Sequence, residues 1–261
     1  MIGIFDSGIG GLTVVRAVMD ALPDHDIVYF GDTARTPYGN KSGRTVVEYS
    51  IQNTEFLIEK GAKIIVMACN TASSVATQTL QERFDLPIYE VISPAVDLAL
   101  EQSRNNIIGV IGTRATIESG VYEKKIRHRC PEAKIHSAAC PLLVPLVEEG
   151  WTQKPETRMI VKKYLHPLKV RQIDTLILGC THYPVIKPII ADKIGKKVRI
   201  IDSSVALAGQ IRQFLSDNPE IDDRLGRTGA TRFFVSDITG QFEKTAKSVI
   251  RRKIDLHRVD L

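Results

Sequence analysis

A series of short apolar runs, each followed by a turn, constrains this 261-residue chain more than any other feature. They lie near Gly3 to Phe5, Ile27 to Phe30, Ile64 to Ala68, Ile88 to Val91, Ile107 to Ile111, Ala133 to Ser137, Thr175 to Gly179, Val198 to Ile201 and Arg232 to Val235. The runs lack the apolar–polar alternation of a half-exposed strand, so they read as strands covered on both faces. Helical stretches separate them. In "GRTVVEYSIQNTEFLIEKG", Val46, Val47, Ile51, Thr54 and Leu57 or Ile58 keep a helical spacing on one face. Strands alternating with helices argue for a mostly parallel α/β architecture.

Two pairs of segments echo each other. "IGIFDSGIGG" from Ile2 has a counterpart in "IGVIGTRATI" from Ile108, and "IIVMACNTAS" from Ile64 has one in "TLILGCTHYP" from Thr175. The pattern suggests a duplicated unit, giving two α/β halves of similar length. Chance likeness between buried strands is the alternative. Proline disfavours helix in the residue before it, so a boundary is expected near Ser93-Pro94. The chain beyond Asp202 is too long for the second half alone and should return to the first. The expected division is residues 1–94 plus 206–261 for the first domain and 95–205 for the second.

The formal charge of +5 could point to nucleic acid, but Lys and Arg are interleaved with Asp and Glu, which argues against that partner. The densest basic cluster, "KSVIRRKIDLHR", has the apolar spacing of an amphipathic helix. No run of about eighteen apolar residues occurs, and "IGIF" follows Met1 without a charged leader. A soluble, cytoplasmic protein without membrane contact is expected. The cysteines at 69, 130, 140 and 180 form no C-x-x-C pair and no zinc pattern, so neither a metal nor a disulfide is expected. Cys130 and Cys140 read as small buried side chains.

The polar motifs fall at strand carboxyl ends, where ligands of α/β sheets gather. These are Asp6-Ser7, "DTARTPYG", Cys69-Asn70-Thr71 and Cys180-Thr181-His182, and one shared cleft accounts for them all. The glycines of "DSGIGGLT" fit neither a dinucleotide fingerprint nor a phosphate loop. They are expected to turn the backbone beside a small ligand and leave N–H groups free for a carboxylate. A cysteine opening a helix has its thiolate favoured. One such residue would suggest covalent catalysis. Two, at matching places in paired halves, suggest proton removal from one face of a carbon and return on the other, which is racemisation or epimerisation.

At these motifs the chain resembles the cofactor-independent glutamate racemases of the aspartate/glutamate racemase superfamily. The likeness rests on "GIFDSGIGGLTVV", "YFGDTARTPYG", "ACNTAS", "VPLVEEG" and "GCTHYP" in the family's order. It implies two pseudo-symmetric α/β domains, each a mostly parallel sheet flanked by helices, with the active site in the cleft between them. It also implies interconversion of L- and D-glutamate without pyridoxal phosphate or metal, supplying D-glutamate for peptidoglycan, and it allows a homodimer. Cys69 would then serve the D face with Asp6 beside it, and Cys180 the L face with His182 beside it. Glu148 best matches the family's glutamate, with Glu149 the neighbouring alternative. Ser7, Tyr38, Gly39, Asn70, Thr71 and Thr181, together with Asp6 and His182, are the matching substrate contacts. The rivals are a racemase for aspartate or another amino acid, a non-catalytic two-lobed binding protein and, less favoured, a thiol-redox enzyme.

Overall fold

The structure, a computed structural model, describes residues 1–252 and 254–260. Its strands are β1 (Ile2–Asp6), β2 (Ile27–Gly31), β3 (Ile64–Met67), β4 (Ile88–Glu90), β5 (Ile107–Gly112), β6 (Lys134–Ala139), β7 (Thr175–Gly179), β8 (Arg199–Asp202), β9 (Thr231–Val235) and β10 (Leu256–Arg258). They form two sheets, in the orders β10-β9-β2-β1-β3-β4 and β6-β5-β7-β8, and every pairing is parallel.

The repeat in the sequence is a repeat in topology. Strands β2-β1-β3-β4 and β6-β5-β7-β8 follow one order, and the central registers agree, with Ile2 opposite Ile64 and Ile108 opposite Thr175. Cys69 and Cys180 therefore follow at the same step along their strands. Ser7 and Thr113, just beyond β1 and β5, also correspond.

The runs lack polar alternation because each face of the first sheet has its own core. Ile2, Ile4, Ile27, Tyr29, Ile64 and Val66 pack on the side of helices Leu12–Ala21 and Ser203–Asp217. Phe5, Val28, Phe30, Ile65 and Met67 pack on the other side, against helices Gly43–Glu59 and Asn70–Arg83. On the Gly43–Glu59 helix, Val46, Thr54 and Leu57 are buried as expected, whereas Ile58 is exposed. The first of these cores also takes in Ile108, Val110, Ile177 and Ile201 of the second sheet, so the two halves share apolar packing. The outer face of the second sheet closes on helices Pro155–Val170 and Lys187–Ile194.

Two local features differ from the sequence reading. Ser93 and Pro94 lie in the first turn of helix Ile92–Gln102, whose Val96 and Ala99 enter the shared core. Proline is tolerated there because first-turn N–H groups have no helical partner. The basic stretch near the C-terminus is not one amphipathic helix. Helix Gly240–Ile250 stops where Arg251 turns left-handed at φ 56°, and β10 then pairs with the open edge of β9. Lys253, within that stretch, lies outside the described residues. Beyond Asp202 the chain comes back to the first sheet, to which it adds β9 and β10. Among the described residues, no helix is long and apolar enough to cross a membrane.

Candidate active site

The carboxyl ends of β1, β3, β5 and β7 face one small cavity, walled by Ser7, Tyr38, Gly39, Cys69, Asn70 and Thr71 from one half and by Thr113, Val144, Cys180, Thr181 and His182 from the other. Its volume is about 10 Å3, room for one water and far short of an amino acid such as glutamate. A larger groove of about 1000 Å3 lies at the amino ends of the second sheet, among Arg104, Lys169, Lys196 and Arg199. Helices Ile92–Gln102, Pro155–Val170 and Lys187–Ile194 end there, so these cations complement helix carboxyl termini.

Cys69 is the N-cap of helix Asn70–Arg83 and is 6% exposed. Its Sγ donates to Ser7 Oγ at 3.7 Å. Burial, and next the charge of Asp6, push its thiol up to about 12. Cys180 is equally buried but precedes only the short turn Tyr183–Ile186, so the helix-start argument applies to Cys69 alone. Its Sγ faces His182 Nδ1 at 3.7 Å. On the far side of the ring, Nε2 lies 2.6 Å from Glu148 Oε1. Burial disfavours the imidazolium, yet the hydrogen bonds with Cys180 and Glu148 outweigh it and hold His182 well above its ordinary value. Glu148 thus reaches the site, while Glu149 caps its helix at the surface.

Asp6 is fully buried between the halves. Its Oδ2 accepts from the N–H groups of Gly8 and Gly11, each at 2.9 Å, and its Oδ1 accepts from Thr181 Oγ1 at 3.2 Å. Desolvation raises its carboxyl above the usual range despite the opposing charge of His182 and these donors. Here the expectation for the glycine loop is corrected: the N–H groups of Gly8 and Gly11 serve the protein's own carboxylate. The glycines are needed for close approach instead. A Cβ on Gly10 would collide with Thr181 Oγ1 and lie 2.5 Å from His182 Nδ1, and one on Gly11 would strike Asp6. Thr13 adds a second strap, donating from Oγ1 to the Thr181 carbonyl at 3.2 Å.

The Tyr38 hydroxyl donates to Asp32 and accepts from Asn53 Nδ2 at 3.0 Å, so Tyr38 supplies a wall rather than a free hydroxyl. Arg35 and Ser236 also bind Asp32, which ties this wall to the end of β9. Gly39 brings the wall against Thr113, 2.8 Å from where a Cβ would stand. Thr71 Oγ1 lies 3.0 Å from Thr113 Oγ1 and 3.3 Å from Thr116 Oγ1. Sequence reasoning missed Thr113, although it stands where the repeat puts the counterpart of Ser7. Of the other cysteines, Cys140 is buried as expected, but Cys130 is partly exposed and donates to Glu132 at 3.0 Å. Among the described residues, no cluster of His, Cys, Asp and Glu could hold a metal ion.

The constellation offers two thiols from the two halves, each with its own ionisable neighbour, and a rim of hydroxyls and amides for a small polar molecule. Comparisons with known proteins identify the chain's relatives. The Asp/Glu/Hydantoin racemase profile matches residues 12–211. A glutamate racemase of Persephonella marina is 45% identical over 260 residues, covering 100% of this chain and 97% of the relative. The crystal structure of a Bacillus anthracis glutamate racemase isoform superposes with a TM-score of 0.93 at 36% identity, covering 100% of this chain and 97% of that one. A Francisella tularensis glutamate racemase, solved in complex with D-glutamate, gives 0.90 at 37%, covering 99% and 97%.

Proposed function

This chain belongs to the glutamate racemases of the Asp/Glu/Hydantoin racemase family, and from that premise we propose that it interconverts L- and D-glutamate by two-thiol proton transfer. The observation that carries this reading is the placement of Cys69 and Cys180 at equivalent strand ends, facing one cavity. The D-glutamate held by the Francisella relative supports the same substrate.

In this mechanism glutamate lies with its α-carbon between the thiols. Cys69 as thiolate takes the α-proton of D-glutamate, and the Cys180 thiol donates its own proton to the opposite face, yielding L-glutamate. The resting enzyme is left with the thiolate on Cys180, and the reverse reaction restores it to Cys69. The ammonium group of the substrate supplies the charge that makes a thiolate affordable beside Asp6. His182, backed by Glu148, hydrogen-bonds the Cys180 thiol and stabilises its ionised form. Asn70, Thr71, Ser7 and Thr181 hold the carboxylates and the ammonium, and Tyr38 and Gly39 close the wall. Buried donors at the α-carboxylate, near the N-terminus of helix Asn70–Arg83, offset the charge of the carbanion.

The reading takes residues 1–94 plus 206–261 as one domain and 95–205 as the other, which would open and close around substrate. It includes no pyridoxal phosphate and no metal. The family likeness supports a cytoplasmic enzyme, a homodimer, and a role in supplying D-glutamate for peptidoglycan. A chiral assay on purified protein without pyridoxal phosphate tests the activity: both glutamate enantiomers should reach a racemic mixture. Faster turnover of aspartate, or none of glutamate, would overturn the assignment.

A further inference from the structure

The amide of Asn70 is 1% exposed and lines the cavity, yet its two ends are treated differently. Oδ1 accepts from the Tyr122 hydroxyl at 2.6 Å, whereas the buried Nδ2 has no protein partner. A buried donor without an acceptor is costly, and such groups in native proteins commonly await a ligand. An amide can exchange its ends by rotating about χ2 without changing shape. Something must therefore fix which end meets the substrate.

Tyr122 is placed to do so. It lies on helix Val121–Arg129 of the second half, with its ring buried. The ring presses on Gly179, where a Cβ would stand 3.1 Å from Cε2. Gly179 immediately precedes Cys180, and Asn70 immediately follows Cys69. One side chain thus touches both cysteine-bearing segments. Burial and the nearby Glu90 keep the phenol protonated, so its hydroxyl remains a donor.

We propose that Tyr122 is a positioning residue: its hydroxyl fixes the Asn70 amide with Nδ2 facing the cavity, ready to donate to a substrate carboxylate. The inference deepens the racemase reading and rests on it. Tyr122→Phe keeps the ring on Gly179 and frees the amide to turn. The KM for both glutamate enantiomers should rise about three- to tenfold, with kcat changed less and the melting temperature nearly unchanged. In an Asn70→Ala background the same substitution should have no further effect, because the group it orients is gone. Asn70→Asp, which can still accept from Tyr122 but presents no donor to the substrate, should raise KM at least as much as Asn70→Ala.

A parent that does not racemise glutamate overturns the functional reading and this inference with it. An active parent overturns the inference alone if Tyr122→Phe stays within about twofold in KM, if its effect persists undiminished in the Asn70→Ala background, or if Asn70→Asp binds normally. Should Tyr122→Phe fail to fold, normal substrate binding by Asn70→Asp would still overturn the inference.

Discussion

His182 Nε2 stands 2.6 Å from Glu148 Oε1, while Nδ1 of the same ring faces the Cys180 thiol. The imidazole is thus clamped between an acid and a thiol, and its raised pKa has a direction that can be checked. Glu148→Gln removes the outer partner and should lower the His182 pKa, read from the Cε1–H resonance across a pH titration. A folded-state pKa above the ordinary 6.5 contributes stability that is fully present below that value and lost as pH rises through the folded pKa. The melting-temperature gap between parent and Glu148→Gln should therefore narrow toward alkaline pH. A gap that widens with pH would refute the ion-pair account.

His182→Asn should weaken proton transfer at Cys180 by roughly a hundredfold or more. The equilibrium constant of a racemisation is one, so kcat/KM must fall equally in both directions. The asymmetry must be sought in isotope effects. With α-deuterated substrates, the variant should show a larger effect from L-glutamate than from D-glutamate. Equal effects would remove His182 from its special tie to one thiol.

Asp6→Asn should change two properties together. The carboxyl of Asp6 is raised in the folded state, so the parent loses stability as pH climbs from the ordinary 3.8 through that higher value. The amide variant avoids the loss, and its thermal advantage should grow across that window and then level off. Removing the charge should also lower the Cys69 pKa and speed its alkylation by iodoacetamide, mapped by mass spectrometry. In the parent, that alkylation rate should still be climbing near about pH 10. A parental plateau near about pH 8 would contradict the raised thiol.

Solvent isotope should distinguish two bases from one. In heavy water, the product enantiomer should carry deuterium from the first turnovers while residual substrate stays protiated. Early label in the substrate pool would indicate a single shared base.

Gly10→Ala tests the close approach of the two halves. The added methyl would press on Thr181 and His182, and a displacement near 1 Å at a catalytic group can cost about a hundredfold in rate. A variant with parental kcat would show that the loop yields freely.

Much of this could be read from sequence because it is local. A cysteine placed directly after an apolar run of strand length lands at a strand end, and two runs sharing one topology place Cys69 and Cys180 alike. Other features depend on long-range contacts. Asp6 claims the N–H groups of Gly8 and Gly11 because burial leaves its carboxylate little water to bind. The strand at Leu256 forms only because β9 offers an unpaired edge, which residue spacing in a basic stretch does not reveal. Tyr122 reaches Asn70 across 52 residues of chain, with no motif to announce the pair.

The position of β9 beside β2 also bears on biosynthesis. Ile27–Gly31 is made long before its outer partner, Thr231–Val235. Until that segment leaves the ribosome, β2 presents a bare apolar edge of the kind that recruits other chains. The nascent protein is therefore open to misassembly in the interval when the strands that lead to both thiols have been made but the first sheet still lacks β9 and β10.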